Sequence, residues 1–238
     1  MKPRVAAVLV AAGSGSRYTS GESAEPPKQF LQLRGRPLYM WSLSVLVRHG
    51  LIDRVVVVTR PDLIEKIETD STGMPGREKV VVTAGGSTRQ DSVRLGLELL
   101  SQERPSFEIV LVHDSARPFL DTEVVDGVIQ GVTACGACTV GVPVSDTVKV
   151  VEQGIIKDTL DRSKLYAVQT PQAARFAWLL EAHRMAVASK LAVTDDAALL
   201  EHFGHEVRIV EGSPHNFKVT VRGDLEMCEA LASIFLKD

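Results

Sequence analysis

Short, continuously apolar segments recur along the chain and constrain its fold more than any other feature. They span residues 5–11, 54–59, 79–83, 107–113 and 138–144, and turn residues bound them. A strand that is apolar along its whole length is buried on both faces, as in a parallel sheet covered by helices. Segments with apolar residues at helical spacing alternate with these strands. The pattern predicts an α/β architecture, with a mostly parallel twisted sheet and helices on both faces.

The segments between and after these strands predict the other elements. One helix opens at Gly35-Arg36-Pro37, with the proline in its first turn, and ends by Gly50. Further helices are predicted over residues 61–70, 87–102, 122–134, 176–189, 197–203 and 223–236. The segment 194–196 is expected to cap the helix over 197–203. A late strand is expected over 206–211, and a short strand or strand end over 216–220. Residues 1–238 are thus predicted to form a single domain.

Composition limits the classes of function. The formal net charge of -3 does not suggest wholesale binding to nucleic acid. No apolar run reaches the ~18 residues that span a bilayer, and the first one passes directly into glycine, unlike a signal peptide. We therefore expect a cytoplasmic protein without membrane contact, or a plastid-like stromal one only if a transit peptide was removed. Cys135 and Cys138 have redox or zinc spacing, but no second pair completes a metal site, so buried thiols are expected.

A glycine-rich loop follows the first strand and indicates phosphate binding. It reads GSGSR over residues 13–17, and PPKQF follows over residues 26–30. Backbone N–H groups of such a loop, with the cations Arg17 and Lys28, can converge on a polyphosphate and neutralise its charge. The loop lacks the ending of a Walker loop, and Tyr18 breaks the G-x-G-x-x-G pattern of dinucleotide-binding folds. Because the second strand also lacks an acid at its end, a dehydrogenase is not favoured.

Residues 143–170 differ from the rest of the chain. Two short strands around Gly154 predict a β-hairpin with little capacity to form a core of its own. We expect a projecting arm that packs on a second subunit and so forms a homodimer. The alternative is that the hairpin folds back on its own domain.

A series of motifs resembles a known family. AAGxGxR followed by PKQF is similar to the nucleotidyltransferases that join CTP or UTP to a phosphorylated small molecule. The later motifs resemble those of the 2-C-methyl-D-erythritol 4-phosphate cytidylyltransferases. They are GGSTRQDSV (85–93), HDSARP (113–118), DT (146–147), Arg162, QTPQ (169–172), TDD (194–196) and NFKVT (216–220). The resemblance covers essentially the whole chain and implies a Rossmann-like nucleotidyltransferase fold. The ribitol 5-phosphate cytidylyltransferases share nearly all these motifs and often have serine where Ser115 stands, so they are the alternative.

The resemblance also implies a reaction. CMP passes from CTP to a polyol phosphate, pyrophosphate leaves, and Mg²⁺ is the cofactor. Such chemistry depends on positioning and charge neutralisation more than on a covalent nucleophile. The residues implied to contact the reacting phosphates are Arg17, Lys28 and Lys218. Those implied to contact the nucleotide are Ala11, Ala12, Gly13, Gly15, Gly86, Ser92 and Asp114. Those implied to contact the acceptor are Asp114, Arg117, Thr147, Arg162, Thr170 and Thr194.

Several of these roles have alternatives. Asp114 could hold Mg²⁺ directly or through water, or it could orient the ribose or Arg117. Ser92 could serve only as a hydroxyl in the first turn of a helix, and Thr194 as a helix cap. The resemblance implies that Arg162 reaches the site of the neighbouring subunit.

Two further expectations concern the loop and the loss of catalysis. The spacer over residues 18–27 is longer than usual for the family and is expected to be disordered or to form a lid. His113 is expected to pack at a strand end. A nucleotide-sensing protein that had lost catalysis would be expected to lack Arg17, Lys28 or Lys218, and all three are present.

Overall fold

A seven-stranded sheet forms the centre of the computed structural model, which describes residues 2–13 and 27–235. In chain order the strands are β1 (Val5–Ala11), β2 (Gln32–Leu33), β3 (Arg36–Pro37), β4 (Ile52–Thr59), β5 (Val80–Ala84), β6 (Ile109–Asp114), β7 (Ala137–Pro143), β8 (Lys149–Glu152), β9 (Ile155–Thr159), β10 (Tyr166–Arg175) and β11 (Arg208–Glu211). The α-helices are α1 (Leu38–Arg48), α2 (Ile64–Asp70), α3 (Arg89–Leu100), α4 (Thr122–Cys135), α5 (Phe176–Ser189), α6 (Asp196–His202) and α7 (Arg222–Phe235). Short 3₁₀ turns cover Lys28–Phe30, Pro61–Leu63, Arg77–Lys79 and Arg162–Lys164.

The central sheet confirms the predicted α/β fold. Its strand order is β11-β7-β10-β6-β1-β4-β5. Among the described strands of this sheet, β10 alone runs antiparallel to its neighbours, β6 and β7. The other adjacent pairs are parallel. The pairs β2–β3 and β8–β9 form two separate antiparallel ribbons.

Alternate side chains of β1 enter different cores, because successive residues of a strand point to opposite faces. Val5, Ala7 and Leu9 pack with residues of α1, α2 and α4, whereas Ala6 and Val8 pack with residues of α3, α5 and α6. Both sets are almost completely buried. A continuous apolar run is therefore what a strand in this position requires. Within residues 2–13 and 27–235, no helix is long and apolar enough to cross a bilayer.

The order of the strands places a crevice at one edge of the sheet. From β1 the chain moves outward to β4 and β5, and it then returns to β6 on the other side of β1. Ligands of open α/β sheets bind at the carboxyl ends of the strands where such a reversal occurs. The carboxyl ends of β1 and β6 meet at this point, because Val10 pairs with Asp114.

Three expectations about elements were wrong. Residues 216–220 form no strand: Val219 N–H bonds to the carbonyl of Ala116, and Thr220 N–H bonds to the carboxylate of Asp224. The segment 194–196 caps α6 as expected, through Asp195, whose carboxylate accepts from Ala198 N–H at 2.9 Å, but the alternative that Thr194 is the cap was wrong. The arm expected over residues 143–170 overlaps β10, which begins at Tyr166 and belongs to the central sheet, with a shift of register between Val168 and Gln172 that accommodates a proline.

The predicted hairpin is present as β8 and β9. Each residue of these two strands is exposed, and they pair only with each other within the described part of the chain. An arm whose residues are this exposed contributes little to the core of its own domain.

Candidate active site

Two backbone loops meet beside the carboxyl end of β1. Ala11 is buried, and Ala12 and Gly13 follow it at increasing exposure. The N–H of Gly85, just after β5, donates to the carbonyl of Thr59 at the end of β4. A side chain at Gly85 would meet the Cβ of Ala12 at 2.7 Å, so only glycine permits this approach. The loop after β1 and the loop after β5 therefore form one continuous wall.

Ser92 supports the second loop from the first turn of α3. Its hydroxyl donates to the carbonyl of Thr88 at 2.8 Å, and its oxygen accepts from Gly86 N–H at 3.2 Å. Ser92 is 1% exposed, and Thr88 caps the helix through Asp91 N–H. Ser92 is thus a hydroxyl in the first helical turn, as one alternative expected, and it also fixes the backbone of the loop at Gly86 that is expected to contact the nucleotide.

Asp114 lies at the end of β6 between two cations. Its Oδ1 accepts from Arg89 Nε at 3.0 Å, and its Oδ2 accepts from Lys218 Nζ at 2.5 Å. Burial alone would raise the pKa of this carboxyl, but the charges of Arg89 and Lys218 hold the pKa below its usual range. Asp114 is therefore ionised at neutral pH, and it fixes the direction of the Lys218 ammonium.

The ion pairs extend from Arg89 to the start of α6. Arg89 NH1 donates to Asp196 Oδ2 at 2.8 Å, and His183 Nε2 lies 3.0 Å from Asp196 Oδ1. Asp196 and His183 are 2% and 1% exposed. Arg89 and Asp196 stand inside motifs that the sequence singled out, yet no role was expected for Arg89, and for Asp196 only a share in capping the helix. The sequence does hold one signal of a role for Asp196. Two acids stand next to each other at the start of the helix, and because only one of them can cap it, the other is available for a different partner.

Lys28 and Gln29 join the glycine loop to the segment of Lys218. Gln29 is buried, and its Nε2 donates to the carbonyls of Ala11 at 2.6 Å and Gly13 at 3.1 Å. Lys28 Nζ donates to the carbonyl of Val219 at 3.2 Å. The fold thus brings two of the three expected catalytic cations to one place. The third, Arg17, and the nucleotide contact Gly15 lie outside the described residues, as does most of the spacer over 18–27.

Thr170 and His113 support Asp114 from the side of the sheet. Thr170 Oγ1 accepts from Asp114 N–H at 3.0 Å and lies 3.1 Å from His113 Nδ1. Burial lowers the pKa of His113 to about 4, so the ring is neutral, and its Nε2 donates to the carbonyl of Arg117. These contacts agree with the packing role expected of His113. Thr170 is buried and holds Asp114; a direct contact with the acceptor stays a prediction.

The remaining acceptor residues divide into a near and a far group. Arg117 lies within the site, where its NH1 donates to the carbonyl of Asn216 at 2.7 Å. Thr194 is exposed just before α6. Thr147 and Arg162 are exposed on the arm, where Arg162 NH1 donates to the carbonyl of Ser145. The arm residues are thus held by the arm itself, and their expected role at a neighbouring subunit stays a prediction.

The protein residues do not fit a metal that the protein itself holds. Among residues 2–13 and 27–235, no group of three or more His, Cys, Asp or Glu side chains could bind an ion. Both oxygens of Asp114 already accept from cations. Direct ligation of Mg²⁺ by Asp114 would require displacing Arg89 or Lys218, so the geometry disfavours that alternative.

Cys138 is buried, as expected, whereas Cys135 is only partly buried. Burial and the neighbouring Cys135 raise the pKa of Cys138 to about 12, so this thiol carries no charge at neutral pH. A reactive cysteine needs the opposite shift. Cys138 is therefore not the low-pKa thiolate that a redox role would need.

Known proteins share both the sequence and the fold of this chain. The IspD family model, described as 2-C-methyl-D-erythritol 4-phosphate cytidylyltransferase, matches residues 5–233. Proteins of that name from Clostridium novyi and Pelotomaculum thermopropionicum are 37% and 41% identical. The first alignment spans 227 residues, 94% of this chain and 95% of the relative. The second spans 230 residues, 96% of this chain and 94% of the relative.

Two solved structures extend the comparison to the fold. The 4-diphosphocytidyl-2C-methyl-D-erythritol synthase of Anaerococcus prevotii superimposes with a TM-score of 0.83 at 28% identity, covering 98% of this chain and 100% of that one. The 2-C-methyl-D-erythritol 4-phosphate cytidylyltransferase of Thermus thermophilus gives a TM-score of 0.76 at 34% identity, covering 95% and 98%. The chain belongs to the 2-C-methyl-D-erythritol 4-phosphate cytidylyltransferase family.

Proposed function

We infer that the chain transfers CMP from CTP to 2-C-methyl-D-erythritol 4-phosphate. The observation that carries this function is the family match over residues 5–233, together with Lys28, Lys218 and Asp114 gathered at the crevice of the sheet. An oxygen of the acceptor phosphate attacks the α-phosphorus of CTP. The bond from that phosphorus to the bridging oxygen of pyrophosphate breaks, and pyrophosphate leaves. The products are 4-diphosphocytidyl-2-C-methyl-D-erythritol and pyrophosphate, as in isoprenoid biosynthesis by the non-mevalonate route.

The residues of the chain contribute charge and position. Lys28 and Lys218 approach from two segments, and with Arg17 they would neutralise the negative charge that builds on the transferring phosphorus. The backbone of Ala11, Ala12 and Gly13 would face the nucleotide. Asp114 keeps Lys218 aimed at the crevice until the phosphates replace it as the partner of the ammonium.

The hydrogen bonds of Ser92 account for a preference for cytosine. Its proton is committed to the carbonyl of Thr88, and one lone pair accepts from Gly86 N–H. The remaining lone pair can accept from the 4-amino group of cytosine, but the hydroxyl has no proton left for the 4-oxo group of uracil. A site that can only accept a hydrogen bond at this point disfavours UTP, because the Ser92 oxygen and the 4-oxo group of uracil would face each other with no proton between them.

The finer parts of the proposal rest on the resemblance. Mg²⁺ would enter with CTP, since the described side chains form no metal site. Two copies would pair through the arm, and Arg162 and Thr147 would then reach the acceptor of the partner's site. Arg117 and Thr194 would bind the acceptor from within the same chain. The proposed location is the cytoplasm.

One assay tests the function and its alternative. The protein is incubated with Mg²⁺, CTP and either methylerythritol phosphate or ribitol 5-phosphate, and pyrophosphate release is measured along with the mass of the product. We expect release with methylerythritol phosphate, and none when Mg²⁺ is removed by a chelator. The relatives named above do not favour ribitol phosphate. Faster turnover of ribitol phosphate would refute the acceptor, and no release with either acceptor would refute the enzyme.

A further inference from the structure

Arg89 connects the nucleotide side of the site to the acceptor side. We propose that Arg89 is a positioning residue. Its guanidinium spans Asp114 and Asp196, and so holds the start of α6, with Thr194, in a fixed position relative to Lys218. The proposal rests on the proposed function. It concerns how two substrates are aligned, not which substrates they are.

The geometry of the guanidinium carries the proposal. Two different nitrogens bond to carboxylates on two different elements: Nε to Asp114 at 3.0 Å and NH1 to Asp196 at 2.8 Å. Asp114 then reaches Lys218, and Asp196 is the first residue of α6. One side chain of α3 therefore lies in an unbroken line of ion pairs from a catalytic cation to the helix behind Thr194.

The start of α6 has few other attachments to the site. Gln172 of β10 binds it: Oε1 accepts from the N–H groups of Asp196 and Ala197, and Nε2 donates to Asp195. Gln172 holds the backbone of the helix start, whereas Arg89 alone among these contacts joins it to the residue that directs Lys218. Thr194 itself is exposed at the edge of this tethered segment.

Lysine cannot replace this arrangement. A guanidinium presents several N–H donors in a rigid fork, whereas an ammonium is a single point on a flexible stem. The variant Arg89→Lys keeps the charge between the two acids but cannot hold both at the observed distances. A displacement of about 1 Å at the reacting groups is enough to lower a rate about a hundredfold.

The test compares Arg89→Lys with wild type in the assay described above. We expect kcat to fall about tenfold to a hundredfold and the acceptor KM to rise, while the dissociation constant of CTP changes by less than about threefold. Asp196→Asn, which keeps the shape of the side chain, should raise the acceptor KM in the same way. The matched control is Arg184→Gln, which breaks the Arg184–Glu98 pair between α5 and α3 away from the site and should leave all constants unchanged.

A double variant separates positioning from a structural role. If Arg89 acts through the segment of Thr194, adding Thr194→Ala to Arg89→Lys should raise the acceptor KM by less than Thr194→Ala does alone. Additive effects would overturn the proposal. So would a lower melting temperature with unchanged kinetics, or a weaker affinity for CTP with an unchanged acceptor KM. Wild-type turnover is measured first, so a failure of the proposed function appears there and a failure of this proposal appears only in the variants.

Discussion

Lys28 lies next to the segment that carries Lys218. It is half-buried, and its ammonium reaches the backbone carbonyl of Val219, next to Lys218. An ammonium at this position can bond to a phosphate bound in the crevice. The side chain of its neighbour Gln29 holds the backbone at Ala11 and Gly13, and these bonds do not depend on where the Lys28 ammonium points.

We therefore predict that Lys28→Ala lowers kcat by about 10²–10³-fold with the fold intact. The loss reflects one cation removed from the charge that develops at phosphorus. The measurement is turnover at saturating CTP, with the melting temperature recorded beside it. Lys66→Ala, which removes an exposed lysine paired with Asp70 on α2, is the control. Unchanged turnover in Lys28→Ala would remove this residue from the site.

His113 makes the stability of the fold sensitive to acid. Burial lowers its pKa from 6.5 to about 4 in the folded protein. The unfolded chain binds a proton at pH values where the folded protein does not, so stability falls as pH falls from about 6.5 to about 4. Each pH unit in this window costs about 1.4 kcal/mol of unfolding free energy, and about 3 kcal/mol is lost in all.

The variant His113→Gln should flatten this dependence. Urea unfolding at pH 7, 6, 5 and 4.5 gives the free energy at each pH, and the slopes are compared because the variant also lowers stability at every pH. We expect a smaller slope between pH 6.5 and 4.5 in the variant. Equal slopes would show that His113 is not the group that protonates on unfolding. Asp114 and Asp196, whose pKa values are lowered, contribute only at more acidic pH.

At the scale of elements, the loop from β5 to α3 depends on the absence of a side chain at Gly86. A Cβ there would lie 2.3 Å from the Cβ of Asp91, which is in the first turn of α3. Gly86→Ala must therefore move the loop and withdraw its N–H from Ser92. We predict that CTP binds at least about tenfold more weakly to this variant, because a displaced loop no longer presents its groups to the base.

Isothermal calorimetry with CTP measures this change. Gly50→Ala is a matched control, because a Cβ at Gly50 meets nothing within 4 Å and the residue lies beyond the C-terminal end of α1. Its affinity for CTP should equal that of wild type. If Gly86→Ala also binds CTP normally, the loop does not contact the nucleotide.

The elements show where sequence reasoning succeeds and where it stops. The apolar runs placed the parallel strands within two residues, because burial on both faces leaves a local pattern. Residues 216–220 were misjudged because their hydrogen bonds go to Ala116 and Asp224, which no periodicity reveals. The same limit applied to the arm predicted over residues 143–170, because no local pattern showed that β10 joins the central sheet.

The residues of the candidate site could be predicted from the sequence, but the ion pairs among them could not. The motifs indicated Lys28, Asp114 and Lys218, and the fold brings these three residues together. They gave no sign that Arg89 would bridge Asp114 and Asp196, because the partners lie 25 and 107 residues apart and meet only when α3, β6 and α6 pack. Which acid an arginine meets is decided by tertiary structure.

At the scale of the whole molecule, the arm presents an apolar surface that a single chain leaves open. Val151 of β8 and Ile156 of β9 pair across the ribbon and so share one face, and they are 54% and 60% exposed. A two-stranded ribbon is marginally stable by itself, and apolar side chains grouped on it favour a partner surface. Ile156→Lys should therefore shift a dimer to monomer in sedimentation velocity, whereas Val187→Lys on α5, which is 56% exposed, should not. A monomeric wild type would contradict the dimer.

A mixing experiment tests whether Arg162 completes the site of the other subunit. Arg162→Ala and Lys28→Ala should each be nearly inactive alone. If Arg162 acts across the dimer, a hybrid of the two variants contains one site with both residues intact and one with neither. Random exchange of subunits makes half of the dimers hybrid, so activity should return to about a quarter of wild type. If Arg162 acts within its own chain, every site in every hybrid carries one defect, and mixing restores nothing.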